Sequence, residues 1–150
     1  MATQRVSGDH GTSVEGSLGR EEFLAWFNEL GVMRALGVRC IELGDGRAVS
    51  VLDPQPHHRN PNGSINGGFL LAAADVTAGA AVSSTGPLSQ SSATTDLSMH
   101  FLAVAVDGPL TIEAVVLRRG RRNCVPSIRI KDAAGVLCAV ATGTWILRRP

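Results

Sequence analysis

NPNGSINGGFLLAAADVTAGAAVSS, running from Asn60 to Ser84, is the stretch that decides the architecture of this chain. Asp75 is its only charged side chain, and no other Asp, Glu, Lys or Arg lies between Arg59 and Asp96. An ionised carboxylate in a run of Ala, Leu, Val and Gly costs free energy unless something pairs with it, so the run predicts a buried carboxylate with a task. Ahead of it, Asn66-Gly67-Gly68 followed by Phe69, Leu70 and Leu71 reads as a loop turning into a helix. A helix that opens on two glycines exposes free backbone N–H groups and the positive end of its dipole. Such an end can hold an anion or a developing oxyanion. Asp75 follows Gly68 by seven residues, about two turns further along. A helix end that polarises an oxygen, with a carboxylate two turns on, has the makings of a site.

Outward from this helix, predicted over Gly67 to Ser84, the elements fall into order. The helix is apolar nearly all round, which predicts that other structure wraps it. On its N-terminal side, Asp53 to Ser64 is a loop with Pro54, Pro56 and Pro61. Val38–Leu43 and Arg47–Leu52 are two short strands around the hairpin signal Gly44-Asp45-Gly46. Before them, Phe23, Leu24, Trp26, Phe27, Leu30, Met33 and Leu36 recur at helical spacing, giving an amphipathic helix over Arg20 to Leu36 with a break near Gly31. Met1 to Leu18 is polar and aperiodic, and is expected to be a disordered tail. His10, inside it, is expected to be solvated.

On the C-terminal side, Thr85 to Ser92 is a connector and the rest is strand. Thr94–Val104 alternates, with Leu97, Met99 and Phe101 on one face and Asp96, Ser98 and His100 on the other. Leu110–Arg118, Val125–Lys131 and Val136–Leu147 follow, separated by turns. Pro126 inside a strand predicts a bulge or an edge position. The order is α+β: strands joined by short turns form an antiparallel sheet whose inner face wraps one central helix.

The totals exclude several classes. With 150 residues, 44% of them hydrophobic and 18% charged, the expectation is one globular domain over residues 19–150. A net charge of +1 gives no general attraction to nucleic acid or to a membrane surface. Cys40, Cys124 and Cys138 are odd in number and far apart, so they are expected as reduced strand residues of a cytoplasmic protein, with no metal site. His57-His58 lacks the helical spacing of a zinc pair.

Asn60, then Asn66-Gly67-Gly68, then Asp75, on the order β-β-α-β-β-β-β, resembles the hotdog fold, and within it the PaaI-like branch of acyl-CoA thioesterases. That branch carries Asn, six residues later His-Gly-Gly, and Asp seven residues beyond the second Gly. The stretch TTDLSMHFL from Thr94 and the closing GVLCAVATGTW from Gly135 are similar to the family's following strand and last hairpin. The resemblance covers Leu36 to Arg148. It implies a sheet wrapped round one long helix, with Asp75 as nucleophile or general base and the N–H of Gly67 or Gly68 polarising a thioester carbonyl. It further implies that Asn60 helps hold that carbonyl or the water, and that Thr94 orients the water. A homodimer or homotetramer is implied as well, with Asp75 facing the Gly67 region of another copy. No cofactor is implied beyond the coenzyme A of the substrate. The departure is Asn66, where the family usually has His: Asn can cap a helix but cannot titrate.

Each of these residues also has a plainer account. Asp75 could be structural, the glycines could serve close packing, Asn60 could be a turn residue, and Thr94 could be an ordinary strand hydroxyl. Arg118, Arg119, Arg121 and Arg122 flank Gly120 at a turn; they could meet coenzyme A phosphates or simply be solvated. The functional expectation is hydrolysis of an aliphatic or aryl acyl-CoA to free acid and coenzyme A. The alternatives are an acyl-CoA or fatty-acyl binding module without catalysis, and an enoyl-CoA hydratase or dehydratase of the same fold.

Overall fold

A computed structural model describes residues 19–88 and 90–148. The expected tail over residues 1–18, with His10, lies outside the described residues. Two short helices, α1 (Arg20–Asn28) and α2 (Gly31–Leu36), lead into β1 (Val38–Gly44) and β2 (Arg47–Leu52). The long helix α3 (Gly67–Ser83) follows, then β3 (Ser92–Phe101), β4 (Leu110–Arg119), β5 (Asn123–Lys131) and β6 (Leu137–Leu147). The six strands form one antiparallel sheet in the order β1-β2-β4-β5-β6-β3. The α+β arrangement implied by the hotdog resemblance is present.

The inner sheet face supplies Leu52, Leu110, Ile112, Ile128, Ile130 and Trp145, all buried, and α3 lies against them. Alanine-rich helices form readily, and small side chains let this one sit close on the sheet. Leu70, Ala73, Ala74, Thr77, Ala78, Ala81 and Val82 make its buried face. Burying each Leu or Val of that face contributes about 1.5–3 kcal/mol. The opposite face is not covered by the described residues. Gly68 and Leu71 are exposed, and Ala72, Asp75, Val76 and Gly79 are half-buried. The expectation of a helix wrapped all round, and of a buried Asp75, is therefore corrected: six strands curl over one side of α3 and leave the other open.

Register shifts place two functional stretches. β3 has an irregularity between Thr94 and Asp96. Strict alternation from Leu97 and Met99 would turn Thr95 inward; the extra residue turns Thr94 inward instead, as bulges re-aim side chains. Gly143 permits it, since a Cβ there would lie 2.2 Å from the Asp96 carbonyl oxygen. β4 slips likewise between Val116 and Arg118. Pro126 pairs with Val116 on β5, an interior strand. Of the two positions expected for Pro126, the structure shows the bulge: it lies in β4, directly opposite Pro126, and not at a sheet edge. β3 also ends earlier than alternation predicts, at Phe101. Leu102 and Ala103 both donate backbone N–H groups to the Cys138 carbonyl, and the chain then leaves the sheet.

Candidate active site

The loop before α3 is built by local hydrogen bonds. Asn60 donates its amide to Ser64 Oγ at 2.7 Å and accepts the Asn62 N–H at 2.9 Å, while its backbone N–H reaches the Ser64 carbonyl at 2.8 Å. Its carboxamide thus closes a turn at both ends. Arg59 and Ile65 form a bridge across the same loop. Below it, His58 is fully buried, accepts the Gln55 N–H at Nδ1 (2.8 Å), and packs edge-on against Phe69 with ring centroids 4.8 Å apart. Burial first, then the charge of neighbouring His57, pushes His58 below the usual imidazole range.

Asn66 is the N-cap of α3, and its Oδ1 accepts the Gly68 N–H at 2.8 Å. That donor is therefore occupied by the cap. The Gly67 N–H makes no hydrogen bond among the described residues, and Asn66 is exposed with its Nδ2 likewise uncommitted. Of the two glycine donors named from the sequence, Gly67 is the one left open. A Cβ on residue 67 would lie 2.9 Å from Phe101 Cζ, so the ring of Phe101 stands over this helix end. Beside it runs a groove of about 390 Å³ lined by Ile65, Gly67, Leu70, Phe101, Leu102 and Val104. Phe101 is 56% and Val104 71% exposed. Alternation gave Phe101 its face, but nothing in the sequence signalled its contact with Gly67.

Two turns along, Thr94 Oγ1 donates to Asp75 Oδ1 at 2.7 Å. Oδ2 makes no hydrogen bond among the described residues. Gly67 and Asp75 are eight residues apart on one helix, or about 12 Å at 1.5 Å per residue. One carbonyl cannot touch both groups of the same chain.

The four arginines separate across the sheet. Arg118, Arg121 and Arg122 line a cavity of about 590 Å³ on the outer face with Asn123, Val125 and Thr144. The β4 slip turns Arg119 to the helix side, where it donates to Thr85 Oγ1 and, at 3.0 Å, to Gln90 Oε1. Arg119 therefore ties down the connector after α3 and is no part of that cavity. Cys40, Cys124 and Cys138 are buried and free. No three His, Cys, Asp or Glu side chains come together as a metal site among the described residues.

The thioesterase superfamily model matches residues 62–139, just over half the chain and all of α3. The chain belongs to the thioesterase superfamily. Its reaction class is accordingly thioester hydrolysis. This superfamily member is 36% identical over 119 residues to a Saccharolobus solfataricus protein that carries an esterase name, covering 79% of this chain and 84% of that one. The PaaI protein of the E. coli phenylacetic acid degradation operon superposes with a TM-score of 0.77 at 25% identity, over 83% of this chain and 89% of that one. A Streptococcus pneumoniae protein solved with coenzyme A and called a hypothetical thioesterase superposes with a TM-score of 0.69 at 26% identity, over 74% and 85% of the two chains. No helix among the described residues of this thioesterase-superfamily chain is long and apolar enough to cross a membrane.

Proposed function

We propose that the protein hydrolyses an acyl-CoA thioester to the free acid and coenzyme A at a site shared between two copies of the chain. The observation that carries this reading is the Thr94–Asp75 hydrogen bond, which fixes one carboxylate oxygen and leaves the other open on the uncovered side of α3. The thioester carbonyl lies at the Gly67 N–H of one copy, with the Asn66 carboxamide beside it. Asp75 Oδ2 of the other copy takes a proton from water, or attacks the carbonyl carbon itself. The tetrahedral oxyanion is held by the donors at the helix end and the C–S bond breaks. The thiolate takes the proton that Asp75 removed from water. Where Asp75 itself attacks, the thiolate leaves behind an anhydride that water hydrolyses to the free acid, regenerating Asp75 and supplying the thiolate's proton. Two copies are needed because about 12 Å separates Gly67 from Asp75 along α3. The open apolar helix face and the edge of β3, which among the described residues pairs only with β6, support such an assembly. Arg118, Arg121 and Arg122 are the candidates for coenzyme A phosphates; Asn60 shapes the loop through its turn and keeps a second amide hydrogen for the carbonyl or the water.

A second reading, acyl-CoA binding without turnover, is favoured by one observation. Asn66 consumes the Gly68 N–H and leaves fewer donors for an oxyanion. Thiol release measured over short, long and aryl acyl-CoAs separates the two. Under the first reading Asp75→Asn lowers kcat at least about 10²-fold, the low end for loss of a positioned base, while acyl-CoA still binds. A folded Asp75→Asn protein with near wild-type turnover removes Asp75 from the mechanism.

A further inference from the structure

His58 is absorbed by none of these roles, yet it is the residue on which the site loop is hung. Its Nδ1 accepts the Gln55 N–H at 2.8 Å, so the neutral ring carries its proton on Nε2. That Nε2 is buried with no hydrogen-bond partner among the described residues. The Leu36 carbonyl faces the ring without reaching hydrogen-bond geometry. Gly37 lets the ring in: a Cβ there would sit 3.2 Å from His58 Cε1, and its φ of 64° is left-handed. On its other side the ring meets Phe69, and the His58 carbonyl accepts the Asn66 N–H at 2.8 Å. Asn66 and Phe69 bracket Gly67 and Gly68. One imidazole thus spans the α2–β1 junction, the loop and the first turn of α3.

We propose that neutral His58 is the positioning residue that sets the Gly67 end of α3, and that a proton on its Nδ1 releases that end and switches the site off. The kinetic arm rests on the thioesterase reading; the structural arm does not. Protonation would place an Nδ1–H against the Gln55 N–H, donor against donor, and would bury a cation. The charged or titratable groups around the ring are His57, 4.0 Å away between centroids, and Arg59, both on its own loop. Neither can neutralise an imidazolium. The α2 end presents the Leu36 carbonyl and Gly37, and α3 presents Phe69. The charged ring must therefore leave, taking the Phe69 contact with it and loosening the Asn66 anchor. A shift of about 1 Å at a polarising donor costs on the order of 10²-fold in rate.

The test combines imidazole and amide NMR with pH–rate profiles. In the wild type, His58 should appear as the Nε2–H tautomer near neutral pH. On acidification the Gly67 and Gly68 amide shifts should move with His58 itself, and kcat should fall with the same midpoint while KM changes little. His58→Asn offers Oδ1 to the Gln55 N–H but takes no proton. Whatever kcat it retains without a ring against Phe69, it should lose this acid step. His58→Phe keeps a ring against Phe69 but removes the acceptor, and should lose about 10²-fold in kcat at every pH. An Nδ1–H tautomer, glycine amides indifferent to the His58 titration, or an unchanged acid limb in His58→Asn would overturn the proposal. If no acyl-CoA is cleaved by the wild type, the NMR result alone decides it, and the failure then belongs to the thioesterase reading.

Discussion

Gly67→Pro isolates the donor on which the proposed chemistry depends. Residue 67 is the first helical position of α3, where an N–H has no intrahelical partner and proline is favoured. Asn66 already has φ −63° and ψ 132°, the extended conformation that a following proline requires. The substitution therefore removes one N–H and leaves the helix. Its steric cost falls on Phe101, whose Cζ would lie 2.9 Å from a Cβ at 67, but that ring is more than half exposed and free to swing. Stability should change little, or rise by about 0.4–1 kcal/mol through the stiffer unfolded chain. Turnover of the best acyl-CoA should fall by about 10²–10³, or roughly 2.7–4 kcal/mol of barrier, the cost of one oxyanion donor. Mixing adds the geometric test. A dimer of one Gly67→Pro copy and one Asp75→Asn copy has one site with both defects and one with neither. Random exchange makes half of the dimers mixed, so activity should recover to about a quarter of wild type from two inactive proteins. Near wild-type turnover by Gly67→Pro would refute the N–H as polariser. No recovery in a mixture shown by native mass spectrometry to have exchanged would refute the shared site.

The remaining predictions are smaller. Light scattering at micromolar concentration should give at least twice the 15.7 kDa chain mass; a monomer would leave Asp75 without a polarised carbonyl. Neutral replacements of Arg118, Arg121 and Arg122 should raise KM for acyl-CoA and spare small thioesters lacking the nucleotide, since remote phosphate contacts act as uniform binding. Arg119→Gln should instead lower stability, with KM unchanged, because its guanidinium holds Thr85 and Gln90. Folding stability should depend on pH through His58, whose folded form resists protonation. The unfolded chain takes up the proton near pH 6.5 and the folded chain only at lower pH. Stability is thus fully present above that value and falls as pH drops below it, by at most about 1.4 kcal/mol per unit. Urea midpoints between pH 7 and 5.5 test this, and a slope equal in His58→Asn and wild type would contradict it.

The sequence by itself determined what depends on neighbours along the chain. The strands, the long Ala-rich helix and its Asn66 cap follow from alternation, helix propensity and the chemistry of a helix end. The isolation of Asp75 was visible as one charge in a long neutral run. Three things were decided only by the tertiary structure, two because strands distant in sequence set the register and one because they set the extent of the sheet. The bulge between Thr94 and Asp96 chose Thr94 over Thr95 as the partner of Asp75, where period-two alternation points the other way. The slip in β4 turned Arg119 to the helix side and left three arginines on the outer face, although all four look alike around Gly120. Coverage of α3 was the third. Its composition asks for burial all round, but six strands reach only one side, so Asp75 stands half-buried on a face that the described residues leave open. Local sequence records how apolar a helix is; how many strands lie over it is a property of the whole sheet.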